Sequence, residues 1–187
     1  MTFRMTLSNK YLLGLMLSSF VLLGGMAPVV AQTEAGGSAP DFRLQDQNGE
    51  WHALDDFNGQ WLVVYFYPRA DTPGCTTQGC SFRDNIYAFR GVGAEVVGIS
   101  TDPVDRQKAF SDKYSLPFAI LSDESGEVAR DYGVLIEQGS VNFARRETFL
   151  ISPDGQIARH YESVNPDTHT EEVLDDLLAL AEDADPS

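Results

Sequence analysis

Between Phe42 and Tyr161 the chain switches repeatedly between continuous apolar runs and segments whose apolar residues recur at helical spacing. Residues 42–44 and 50–54 flank Asp46-Gln47-Asn48-Gly49, and an Asn-Gly pair between two such runs predicts a β-hairpin. Residues 61–67 are unbroken apolar and aromatic side chains stopped by Pro68, the pattern of a strand buried on both faces. A helix over 72–90 follows from Phe82, Ile86, Tyr87 and Phe89, closed by Gly91. A second buried strand is expected at 95–100. After it, Asp102 and Pro103 offer an N-cap and a proline at the first position of a helix running to about Tyr114. Strands are expected at 117–121, 146–151 and 156–161, the last two joined by a turn at Pro153-Asp154-Gly155. Helices at 126–132 and 170–181 complete the set. Strands alternating with helices, with hairpins near both ends, give a three-layer α/β domain around a mixed sheet.

The N-terminal segment belongs to targeting. Arg4 and Lys10 precede an apolar run over 11–26, and Val29-Val30-Ala31 places small residues where a signal peptidase reads. Residues 1–31 are therefore expected to be a signal peptide cleaved after Ala31. An uncleaved membrane anchor is the alternative, because about 20 apolar residues suffice to cross a bilayer. Residues 32–187 have room for one domain, ending in the acidic stretch 182–187, which is expected to be frayed.

Charge narrows the function. With 28 acidic and 13 basic residues the chain carries −15, and cleavage after Ala31 removes two basic and no acidic residues, leaving −17. Such a surface lacks the clustered cations that bind nucleic acid, and it is repelled by anionic membranes. Two cysteines and three scattered histidines do not make a zinc site, and no metal or other cofactor is expected.

The two cysteines fall in Pro68-Arg69-Ala70-Asp71-Thr72-Pro73-Gly74-Cys75-Thr76-Thr77-Gln78-Gly79-Cys80, where the buried strand gives way to the long helix. A helix start offers unpaired N–H groups and the positive end of its dipole, and both favour a thiolate at Cys75. Cys75 and Cys80 can be read as a static disulfide or as a redox-cycling pair. Positions five apart on an intact helix have Cα atoms roughly 8.7 Å apart, whereas a disulfide needs about 4.4 to 6.8 Å. A bond between them therefore requires the helix to unwind, which suits a cycle better than a static crosslink.

The run Pro68-x-x-x-Thr72-x-x-Cys75 resembles the active-site signature of the peroxiredoxins. Cys80, followed by Phe82-Arg83-Asp84, is similar to the peroxiredoxin Q or bacterioferritin comigratory protein subfamily. Further likeness in Ala39-Pro40-Asp41-Phe42, Gly98-Ile99-Ser100-Thr101-Asp102, Leu116-Pro117-Phe118, Leu121-Ser122-Asp123 and 146–151 extends it over nearly all of residues 38–180. The resemblance implies a thioredoxin-like fold and a thiol peroxidase acting on hydrogen peroxide and organic hydroperoxides, with thioredoxin or a similar dithiol as reductant, in a monomer. It makes Cys75 the peroxidatic and Cys80 the resolving cysteine. Thr72 would bond thiolate and peroxide, Pro68 would shield the sulfur, Arg146 would be the active-site arginine, and the Gly74 and Cys75 amides would be further donors. Arg145, by strand alternation, should face the other way.

Each residue also has a plainer role: Pro68 as strand terminator, Thr72 as N-cap, Arg146 as surface partner of Glu147 or Asp154. An exported thioredoxin-like thiol-disulfide oxidoreductase is the alternative function, although the C-x-x-x-x-C spacing departs from its usual C-x-x-C. A redox-switched binding module has no use for Thr72 and Arg146 around one cysteine. The leader points to a periplasm or another extracytoplasmic space such as a thylakoid lumen.

Overall fold

The computed structural model describes residues 1–2 and 35–184. The expected leader, apart from its first two residues, lies outside that range, as do residues 185–187 of the acidic tail. Among the described residues no helix is long and apolar enough to cross a membrane.

The strands are β1 (Arg43–Gln45), β2 (Trp51–Ala53), β3 (Trp61–Phe66), β4 (Ala94–Ser100), β5 (Ala119–Ser122), β6 (Leu135–Gln138), β7 (Val141–Ala144), β8 (Thr148–Ile151) and β9 (Ile157–Tyr161). The α-helices are α1 (Pro73–Gly91), α2 (Val104–Tyr114), α3 (Glu127–Asp131) and α4 (His169–Ala184), with a 3-10 turn at Leu54–Phe57. Seven strands form one mixed sheet in the order β2-β1-β5-β4-β3-β8-β9. β3, β4 and β5 run parallel, while β1, β8 and β9 pair antiparallel with their neighbours. This is the expected α/β fold with an N-terminal hairpin, β1 to β2.

β3 shows why the middle of the sheet has no polar side. Trp61, Val63, Tyr65 and Tyr67 enter one core with Phe82, Ile86 and Phe89 of α1, Phe110 of α2, and Val173 and Leu177 of α4. Leu62, Val64 and Phe66 enter the other, with Leu54, Val128, Ala129 and Phe149. Each fully buried large side chain contributes about 1.5–3 kcal/mol, so β3, buried at every position, anchors both cores. Tyr65 lies so close to β4 that a Cβ at Gly98 would meet its ring at 2.6 Å, which is why that strand position carries no side chain.

Several expected boundaries move. Thr72 is the N-cap of α1 and the helix starts at Pro73; its side chain makes no capping bond. Pro103, not Asp102, is the N-cap of α2, because the buried Asp102 carboxylate is engaged with Ala70 and Ser100 instead. The strand expected from 146 begins at Thr148, which leaves Arg146 in the connection before it. Helix α4 continues to Ala184, through part of the tail expected to fray. The hairpin β6 to β7 was not anticipated, although Gly139-Ser140 between two short runs is a two-residue hairpin signal and Gly139 has φ +64°.

Candidate active site

Parallel β3 and β4 end at one edge of the sheet, and the chain leaving β3 supplies the site. Tyr67 N–H donates to Ile99 O at 3.1 Å, after which Pro68, half-buried, turns the chain away. The loop is then held against α2: Asp71, a non-glycine residue at φ +61°, receives Lys113 Nζ at 2.8 Å on both carboxylate oxygens and Tyr114 O–H at 2.7 Å. Thr72 takes extended dihedrals and donates its hydroxyl to Arg69 O at 3.0 Å. The first intrahelical bond of α1 is Thr76 N–H to Thr72 O at 2.8 Å, so the amides of Gly74 and Cys75 precede it at the positive end of the helix.

Cys75 is 1% exposed and unoxidised. The second half of the site arrives from β8. Phe66 N–H donates to Glu147 O at 2.8 Å, fixing the connection before β8 beside the end of β3. Arg146 then reaches across: Nη2 donates to Cys75 Sγ at 3.1 Å and Nη1 to Gln78 Oε1 at 2.8 Å. Gln78 is fully buried one helical turn after Cys75, so it orients the guanidinium toward the sulfur. Gly74 lets it come close, since a Cβ there would lie 3.2 Å from Arg146 Nη2, tighter than ordinary contact.

The neighbouring charges are sorted to the opposite side. Arg145 pairs with buried Glu147 and donates to Gly133 O at 2.6 Å, while His160 Nε2 lies 2.7 Å from Glu147 Oε2. Arg145 thus faces away from Arg146 as expected, although both lie in the connection before β8 and not in a strand, and Glu147 is not the partner of Arg146. Behind the site, His169 is enclosed between Thr148, at 2.9 Å from its Nε2, and Glu172, at 3.1 Å from its Nδ1. Burial pushes its pKa below the ordinary histidine value, and Arg146 adds to that shift. Burial likewise drives the Tyr65 and Tyr67 phenols upward, so neither is an acid near neutrality.

The structure therefore brings Cys75, Gly74 and Arg146 together and sets Thr72 and Pro68 on the same loop. Cys80 lies further along α1, half-buried and unbonded. Sequence reasoning missed Gln78, although its place three residues after Cys75 on a helix was a signal. One set of metal-ligand types does converge among the described residues, Asp46, Glu50 and His52, but it lies in the β1 to β2 hairpin. There Asp46 Oδ1 already accepts the amides of Asn48 and Glu50.

Comparison with known proteins places the chain in a family. Residues 35–160 match the AhpC/TSA family. The chain belongs to that family. Peroxiredoxin Q of Suaeda salsa, named as chloroplastic, is 41% identical over 155 residues, 82% of this chain and 72% of the relative. Peroxidoxin BcpB of Mycobacterium tuberculosis superposes with a TM-score of 0.75 at 35% identity, covering 79% of this chain and 97% of that structure. The Xanthomonas campestris bacterioferritin comigratory protein, whose structures are described in connection with alkyl peroxide reduction, gives 0.71 at 35% identity over 75% of this chain and 92% of that one. Within the AhpC/TSA family the chain is thus a peroxiredoxin of the Q or bacterioferritin comigratory kind, with a thioredoxin-like fold, and a thiol-dependent peroxidase.

Proposed function

We propose that the protein reduces hydrogen peroxide and organic hydroperoxides through Cys75 and Cys80 and is recycled by thioredoxin or a similar dithiol. The observation that carries this reading is the Arg146 Nη2 to Cys75 Sγ contact of 3.1 Å at a helix start with no acidic residue in its first turn. The Cys75 thiolate attacks the terminal oxygen of the hydroperoxide; an S–O bond forms, the O–O bond breaks, and the departing oxygen leaves with a proton as water or alcohol. Arg146 and the Gly74 and Cys75 amides stabilise the negative charge that gathers on the oxygens. Thr72, its proton committed to Arg69 O, has lone pairs left to accept from the peroxide O–H. Pro68 shields the sulfur from solvent.

Cys80 then condenses with the Cys75 sulfenic acid, forming S–S and releasing water, and a dithiol reduces that bond by exchange. Both thiols are free on an unbroken α1, so this step requires the start of the helix to unwind. The alternative, a thiol-disulfide oxidoreductase, is not favoured by the peroxiredoxin relatives or by the cysteine spacing. We further propose that residues 1–31 direct export and that the domain is monomeric. N-terminal sequencing and light scattering of the protein from its native host check these two points.

Replacing Cys75 by Ser should abolish peroxide turnover with any dithiol, and retained turnover would overturn the assignment. Cys80→Ser should complete one reaction with peroxide and stall as a sulfenic acid or a Cys75-linked dimer. The unsubstituted protein, given one equivalent of peroxide, should lose two hydrogens and stay monomeric on a non-reducing gel. A lasting gain of one oxygen would leave Cys75 as the sole working cysteine.

A further inference from the structure

The loop that carries Pro68 and Thr72 is gripped at both ends by one buried polar network. At one end Tyr67 O–H donates to Gln107 Oε1 of α2. Gln107 Nε2 donates to Ser100 Oγ at 3.0 Å and to Leu121 O at 2.9 Å, and Ser100 Oγ donates to Asp102 Oδ2 at 2.9 Å. At the other end Ala70 N–H donates to the same oxygen, Asp102 Oδ2, at 2.7 Å. Asp102 Oδ1 meets Arg106 Nε at 3.3 Å, and Ser122 O–H donates to Asp102 O at 2.8 Å. Tyr67, Gln107, Ser100 and Asp102 are all buried, so the chain of bonds runs in a low dielectric where it rigidifies what it holds.

What it holds is one peptide plane. Ala70 N–H and Arg69 C=O belong to the same planar trans unit and point in opposite directions, so pinning one aims the other. Arg69 O is the acceptor of the Thr72 hydroxyl. We propose that Asp102 is a positioning residue for peroxide reduction: by fixing the 69–70 peptide it fixes the Thr72 hydroxyl, whose lone pairs then face the substrate. This rests on the peroxidase reading and adds to it a path from a carboxylate beyond β4 to a side chain at the reacting oxygen.

A double-mutant cycle tests it. Asp102→Leu keeps the bulk and removes both acceptors. Single-turnover oxidation of Cys75 by hydrogen peroxide should slow about tenfold, the scale expected when a reacting group is misplaced. Because Asp102 acts through Thr72, Asp102→Leu combined with Thr72→Val should be no slower than Thr72→Val alone. Asp102→Asn, with its side-chain oxygen toward Ala70, should recover most of the rate, and Lys108→Ala, which loses only an exposed pair with Asp112, should react like the parent. A folded Asp102→Leu protein within twofold of the parent, or losses that multiply with Thr72→Val, would overturn the proposal. If Asp102→Leu does not fold, Asp102→Ser, too short to reach Ala70, takes its place in the same cycle. Amide exchange at Ala70 and rotamer averaging at the Thr72 methyl, read by NMR in the resting protein, test the lever without turnover. Both should increase in Asp102→Leu, and an unchanged Thr72 rotamer sinks the lever whether or not the parent consumes peroxide.

Discussion

Helices α1 and α2 leave the same edge of the sheet after parallel strands, and each begins beside a proline with no side-chain cap. Their first turns are nonetheless chemical opposites. In α2 the second helical position is Asp105, whose carboxylate accepts the Arg106 amide at 2.8 Å. That end of the helix supplies its own anion. In α1 the second position is Gly74, no acid stands in the first turn, and the third position is the buried Cys75 under Arg146. A reactive thiol at a helix start needs the place of the usual carboxylate left empty, because a carboxylate would take both the dipole and the arginine.

Importing the α2 solution into α1 should have the largest effect. Gly74→Asp sets an anion against Arg146, and peroxide reduction should fall by about 10²-fold or more, comparable to losing a charge-stabilising donor; stopped-flow oxidation of Cys75 measures it. Arg146→Lys keeps the charge but cannot serve Gln78 and Cys75 together, and the same measurement should show a loss of about tenfold or more. Gly74→Ala adds only a methyl 3.2 Å from Arg146 Nη2, so a shift of the guanidinium should slow the reaction several-fold. Its thermal midpoint should move little, since alanine is the better helix former by about 1 kcal/mol. The smallest effect belongs to α2: Asp105→Ala should cost roughly 0.3–1 kcal/mol in urea melts and leave the peroxide rate unchanged.

The long apolar run of β3, the helical spacing of α1 and the turn at Asn48-Gly49 were legible because each is a local pattern that tertiary contacts reinforce. Cys75 was legible too, since a strand ending at proline before a helix start is itself local. Gln78 and Asp102 were not. Their roles depend on what lies across the fold, 68 residues away for Gln78 and Arg146, and 32 for Ala70 and Asp102. Asp102 was misread for a specific reason: Asp-Pro before a helix has the local grammar of an N-cap, and only its burial shows the carboxylate turned inward to the loop. Helix α3 lost one residue at each end, with Gly126, at φ +71°, as its N-cap and Tyr132 as its C-cap.

The run Arg145-Arg146-Glu147 has a consequence for how such a chain can change over generations. Its three consecutive charges go to two sides, Arg145 and Glu147 to a charged cluster with His160, Arg146 to the sulfur. Adding or deleting one residue between Ala144 and Thr148 would shift Arg146 relative to the Phe66 N–H to Glu147 O bond that anchors this connection, and so move the guanidinium off Cys75. The neighbouring β6 to β7 hairpin stands apart from the main sheet, so its Gly139-Ser140 tip is free to lengthen. Variation in length is thus channelled outward into the hairpin, while the few residues leading into β8 are held to a fixed count by the contacts they make on both sides.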